Sequence, residues 1–566
     1  MIIFERCPVI LPDYYFENPH VMSIIKTFVN LCMVSVIFLA GCQPGDRMYR
    51  AQLQERIDQY EAVELRTDLS WLSEWEREMI PVLMEAADKI DEIFWLQSYG
   101  PKEHLRDYID VPEAWEYALI NYGPWGRLEG HTAFYPGFDD KPLGARFYPV
   151  DMERDEFMEW EHPDKTSPYT MILRDEAGGL VAVPYSEIFA EQNQEIAGLL
   201  RKAAQISQYQ PLSMYLEALA GGILTDDYRD SDMRWMEMKD NNIDLVLRPL
   251  DTGEDRKFGY KAAHSAYLVV KDREWSARLE RFAGMAPTLQ ARLPVPERYR
   301  QEVPGDDSEI FVYEALLYAG HCNAGPKIIA LHLPRDPEIT SVTGTRSMQL
   351  KNVMEAKFSE ILLPIADMMI HAEQQQHISS DAFFLLTAFH EIAAALGITQ
   401  TVTGQGPVRD ALLEYHGIID ATVTDLMALY LIAQLHEMGE LSERELQDAY
   451  VTSFASVMRS SRFGTAGAHG IAGMIRFNTF EREAVFTRDH ETGTYRVNID
   501  RMRATVEKTL QELLVIQGDG NYQTARQLSN RDGTMPESLQ NDIDRINQAN
   551  IPVDVRFRQG AAYLDL

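Results

Sequence analysis

The sequence predicts an α+β protein whose two kinds of element are segregated along the chain. The first half mixes helices with a small sheet or barrel; the second half is mainly helical. Three observations carry this reading. Before residue 335, short β-rich runs come in pairs around turn residues. From Met348 onward, apolar residues recur at helical spacing over long stretches. The composition, 45% hydrophobic and 25% charged over 566 residues, is that of a globular chain long enough for more than one domain.

Taken in order, residues 1–21 carry no targeting logic and read as a non-native or disordered extension ahead of a start at Met22. Met22–Cys42 reads as a lipoprotein signal peptide. Lys26 supplies a positive flank, Phe28–Phe38 an apolar run too short to span a bilayer comfortably, and Leu39-Ala40-Gly41-Cys42 resembles a bacterial lipobox. That reading makes Cys42 the lipidated residue and anchors the body in the cell envelope. Gln43, rather than aspartate, follows the cysteine, which points to the outer membrane, facing the periplasm or the exterior. With the leader removed, Cys322 is the one thiol left, better read as a small buried hydrophobe than as a nucleophile.

From Ala51 to Leu96 the spacing of Leu72, Trp75, Met79, Leu83, Ala86, Ile90 and Ile93 predicts helix, with a kink or break at Pro81. Pro112–Tyr122 predicts another. Ser167–Arg174 and Leu180–Pro184 flank a glycine-rich turn and predict a hairpin. Tyr185–Ser207 is amphipathic. Asn242–Leu247, Ala266–Val270 and the run ending IIALHLP predict strands. Helices follow over Met348–Glu373, Ala382–Gly397, Arg409–Glu437 and Ser442–Ser460. Ile551–Gly560 alternates like a strand that returns to the first lobe. The expected organisation is a mixed lobe over 43–335, a helical lobe over 336–530 and a returning tail over 531–566.

A net charge of −34 repels phosphates and argues against nucleic acid as a partner. The four cysteines form no CxxC pair or Cys/His ladder, so no structural zinc signature is present.

The chemistry-bearing stretch is Thr387–Leu435. It opens with His390-Glu391, the first half of a helical H-E-x-x-H motif, in which two histidines one turn apart grip a zinc ion and the glutamate activates its water. The fourth residue on is Ala394, so the motif lacks its second imidazole.

With SSRFGTAGAHGIAGMIRFN (Ser460–Asn478), SPYTMILRDEAGGLVAVPYSE (Ser167–Glu187), FGYKAA (Phe258–Ala263) and QGDGNY (Gln517–Tyr522) in view, the chain resembles the bacterial branch of the dipeptidyl peptidase III zinc exopeptidases, from about Trp71 to its end. The resemblance implies two lobes with the active cleft between them. It places the first zinc ligand on His390, the water-activating base on Glu391 and an oxyanion-stabilising histidine on His469. The second and third zinc ligands fall on Ala394 and Ala421, a transition-state tyrosine on Gly253, and two substrate-gripping asparagines on His332 and Arg335. Asp420, Asp425 and His416 are the nearby groups that could substitute.

Alanine has no lone pair, and a catalytic zinc needs about three protein ligands. The expectation is therefore a catalytically inactive homologue with no cofactor and with Glu391 and His469 as vestiges, binding a peptide or protein in the old cleft. The alternative is an active zinc exopeptidase that releases dipeptides through a rebuilt metal site.

Overall fold

The computed structural model describes residues 44–300 and 308–564. The leader, with Cys42, lies outside the described residues. Of the unit Met1–Tyr49 only residues 44–49 are described, and they are helical; Arg50–Leu566 forms one compact unit.

The run read as one helix from Ala51 to Leu96 is interrupted. Tyr60–Glu64 is a strand, β1, paired in parallel with the C-terminal strand Asp554–Arg558. Local spacing could not reveal it, because its partner among the described residues lies at the other end of the sequence. The helix resumes as α1 (Glu74–Ser98), entered through Ser73, whose N–H donates to Glu76 Oε2 at 2.8 Å. α1 runs through Pro81 without ending, against expectation. An interior proline costs about 3 kcal/mol, but Ile80, Leu83, Ile90 and Phe94 are wholly buried along the same helix, and each such side chain contributes roughly 1.5–3 kcal/mol.

Pro112–Asn121 is α2, ended by Tyr122 in the left-handed region at φ 55°. β2 (Thr170–Arg174) and β3 (Leu180–Pro184) form the expected antiparallel hairpin. The Tyr185–Ser207 helix divides at Phe189, leaving α3 (Ala190–Ile206) as its long part.

The central sheet has five strands. β4 (Ile243–Asp251) and β5 (Ala263–Lys271) are antiparallel neighbours, and α4 (Arg273–Ala283) leads to β6 (Ser308–Gly320) beside β5. β7 (Ala330–Leu333) is an edge strand, antiparallel to β8 (Thr345–Leu350), which pairs in parallel with β6. Met348–Leu350, expected to open a helix, therefore closes a strand. Its apolar residues fit either period, and the free edge of β6 decides.

Helices dominate from there: α5 (Lys351–Lys357), α6 (Ser380–Ala394), α7 (His416–Glu437), α8 (Glu443–Ser461), α9 (Ala468–Arg482) and α10 (Ile499–Asp519). The segment Val408–Glu437 is long and apolar enough to cross a bilayer, but 83% of its most apolar window is buried, so it is a core helix. The tail strand, β9 (Asp554–Arg558), completes the pair with β1. The architecture is α+β and two-lobed, one lobe mixing a small sheet with helices and the other mainly helical. One hydrophobic core nevertheless joins Leu279 and Phe282 of α4 and Val312 of β6 to the helices that follow.

Candidate functional site

The site forms where the last turn of α6 meets α7, α9 and the edge strand β7. Ser379 caps α6 by accepting from the Ala382 N–H, and Phe384, Ala388, Phe389 and Ile392 anchor it in the core. His390 and Glu391 fall on the side left facing outward.

His390 Nδ1 lies 3.1 Å from Asp425 Oδ1 on α7. Asp425 stands one turn beyond Ala421, on the same face of that helix. Its other oxygen takes an ion pair at 2.9 Å from Arg476 of α9. Burial opposes ionisation of Asp425, but Arg476, His390 and His469 together hold its carboxyl below the usual range. Burial likewise opposes the charged form of His390, yet the hydrogen bond and charge of Asp425, with Glu391 adding, raise its imidazole above the ordinary value. The His469 ring, on α9, sits 6.3 Å from that of His390. His390 and Glu391 are neighbours on α6, and His469 stands beside His390 from α9. Arg476 was not foreseen; its position two turns after His469 on one helix was the available signal.

Ala394 is exposed at the end of α6 and Ala421 is buried in α7, so neither presents a donor to His390. Asp420, a potential substitute, faces Gln517 at 3.4 Å. Among the described residues, no three His, Cys, Asp or Glu side chains are grouped closely enough to share a metal ion.

On the opposite wall, β7 alternates. Leu331 and Leu333 are buried and His332 points outward. His332 Nε2 meets Glu391 Oε2 at 2.6 Å, a contact between the sheet and α6. Arg335, just past the strand, donates from Nη1 to the Leu250 carbonyl at 2.8 Å and stands 3.6 Å from Asp251 Oδ2. Gly253 lies in the short turn after β4, its N–H donating to Asp251 Oδ1 at 2.7 Å. Gly253 and Arg335 line one cavity of about 280 Å³, whereas His332 faces Glu391. Cys322 lines the same cavity from within the core; burial pushes its thiol up to about 12, so it is no nucleophile at neutral pH.

No family model matches the chain. A curated relative, Nudix hydrolase 3 of Arabidopsis thaliana, is 29% identical over 580 residues, covering 91% of this chain and 74% of that protein. Two solved structures align over nearly their full length. The DPP III of Corallococcus sp. strain EGB is 29% identical with a TM-score of 0.73, the alignment covering 90% of this chain and 97% of that one. The DPP III of Caldithrix abyssi is 32% identical with a TM-score of 0.85, covering 89% of this chain and 98% of that one. Likeness in sequence and backbone over this span settles the relationship: the chain belongs to the dipeptidyl peptidase III family.

Proposed function

We propose that this chain is a non-catalytic member of its family that binds a peptide or protein segment in the cleft between β7 and α6. The observation that carries the proposal is the donor set around His390. Of the three positions the resemblance assigns to zinc, two are alanine, and the remaining imidazole is engaged by Asp425. These residues do not fit a catalytic zinc, which needs about three protein ligands and an open position. Unassisted, Glu391 would have to activate water near its bulk pKa of about 15.7. One oxygen of Glu391, Oε2, is also engaged by His332.

The test is elemental analysis of protein dialysed against zinc, together with hydrolysis of dipeptidyl-naphthylamide substrates. Expected are far less than one zinc per chain and no turnover. Stoichiometric zinc that is lost in His390→Ala, with turnover abolished by Glu391→Gln, would overturn the proposal in favour of an active exopeptidase.

A further inference from the structure

The cavity behind β7 has a charge character of its own. Arg127 donates from Nη1 and Nη2 to the two carboxylate oxygens of Glu254 at 2.8 and 3.1 Å. Lys141 reaches the same carboxylate and also Ser98 Oγ at 2.8 Å. His321 Nε2 stands 3.8 Å from it. Glu254 therefore pairs with both Arg127 and Lys141, the ammonium of Lys141 being pulled down to about 8 chiefly by burial. Arg335, half exposed at the rim, adds a third cation, loosely opposed by Asp251. Of the charged side chains that line the cavity, Arg127 and Arg335 stand against one carboxylate, Asp251, in a chain whose overall charge is −34.

The imidazole of His131 stands beside these cations. It lines the cavity, its Nδ1 is buried without a partner, and burial, then Arg127 and Lys141, pull it down to about 4. Glycine at residue 253 leaves room on one side of this space. A Cβ there would lie 2.9 Å from Asp251 Oδ1 and 4.0 Å from His321 Cε1, so a longer side chain would grow into the cavity.

We infer that this cavity receives a carboxylate, presented by a peptide as an acidic side chain or as its C terminus. Arg127 and Arg335 supply the potential, and the remaining Arg335 donors supply hydrogen bonds. The inference rests on the peptide-binding reading above and adds a ligand class to it.

Fluorescence anisotropy of the full chain with four labelled pentapeptides tests it. The peptides carry glutamate or glutamine at one position, each with a free or an amidated C terminus. Expected is about tenfold tighter binding of the acidic form over its uncharged counterpart. The Glu-to-Gln change or the amidation, whichever removes the preference, identifies which carboxylate is read. Arg335→Gln and Gly253→Leu are each expected to abolish the preference, the first by removing a donor and the second by filling the space. Equal binding of charged and uncharged peptides, or a preference that survives both substitutions, overturns this inference and leaves the proposed function standing. Failure of every peptide to bind overturns both.

Discussion

At the scale of single residues, the group with the clearest pH consequence is His264 on β5. It is wholly buried between Tyr185 and Phe189, and neither ring nitrogen has a partner. Burial alone pulls its pKa down to about 3. An unfolded histidine titrates near 6.5, so between the two values the unfolded chain binds the extra proton and stability falls as pH is lowered. Between pH 8 and pH 5 this one group removes roughly 2 kcal/mol. Replacing it with leucine, H264L, removes that term. In urea unfolding the variant is expected to gain about 2 kcal/mol on wild type between pH 8 and pH 5. A difference that does not change with pH would mean His264 is solvated or paired in solution. The residues near the cleft differ in how far the sequence exposed them. His390, Glu391 and Ala394 were legible because a helical motif is local. The His332–Glu391 contact was not, because it spans 59 positions and depends on how an edge strand meets a helix.

At the scale of elements, the tail is held by a buried charge. β9 pairs with β1, but Asp554 at its start also accepts from the Lys327 N–H at 3.2 Å and from Lys357 Nζ of α5 at 2.9 Å. Both Lys357 and Asp554 are nearly solvent-free. Removing one partner of such a pair strands the other, typically at about 3–5 kcal/mol, whereas replacing both with apolar residues is often neutral. Asp554→Ala is therefore expected to cost that much in urea unfolding, and the double variant Lys357→Met/Asp554→Leu to recover most of it. A cost below about 1 kcal/mol for the single variant would mean that water reaches Lys357. The alternation of Ile551–Gly560 announced a strand, but β1, its partner, did not announce itself. In the sequence Tyr60-Glu61-Ala62-Val63-Glu64 only two β-favouring residues appear, and a helical reading of its neighbours swallowed it. Pro81 misled in the opposite direction, since helix propensity is weak beside the burial that α1 achieves.

At the scale of the whole molecule, two of the connections between the sheet and the helical half differ in magnitude. The His332–Glu391 contact is a single pair with the histidine half exposed, and pairs of that kind contribute about 0–1 kcal/mol. The shared core, running from Leu279 and Phe282 through Val312 to Phe389, Met427 and Leu514, buries many side chains at roughly 1.5–3 kcal/mol each. The core, and not the contact across the cleft, must therefore hold the two halves together. His332→Ala is expected to change unfolding free energy by less than about 1 kcal/mol and to leave the solution scattering profile unchanged. A measurable expansion in scattering would show instead that the pair acts as a clasp, with the halves free to separate once it is cut. The core explains why the family fold persists over nearly the whole length of the Caldithrix abyssi structure. Ala394 and Ala421 sit at the end and on the face of helices whose packing is set by other residues, so the scaffold does not depend on which side chain stands at either position.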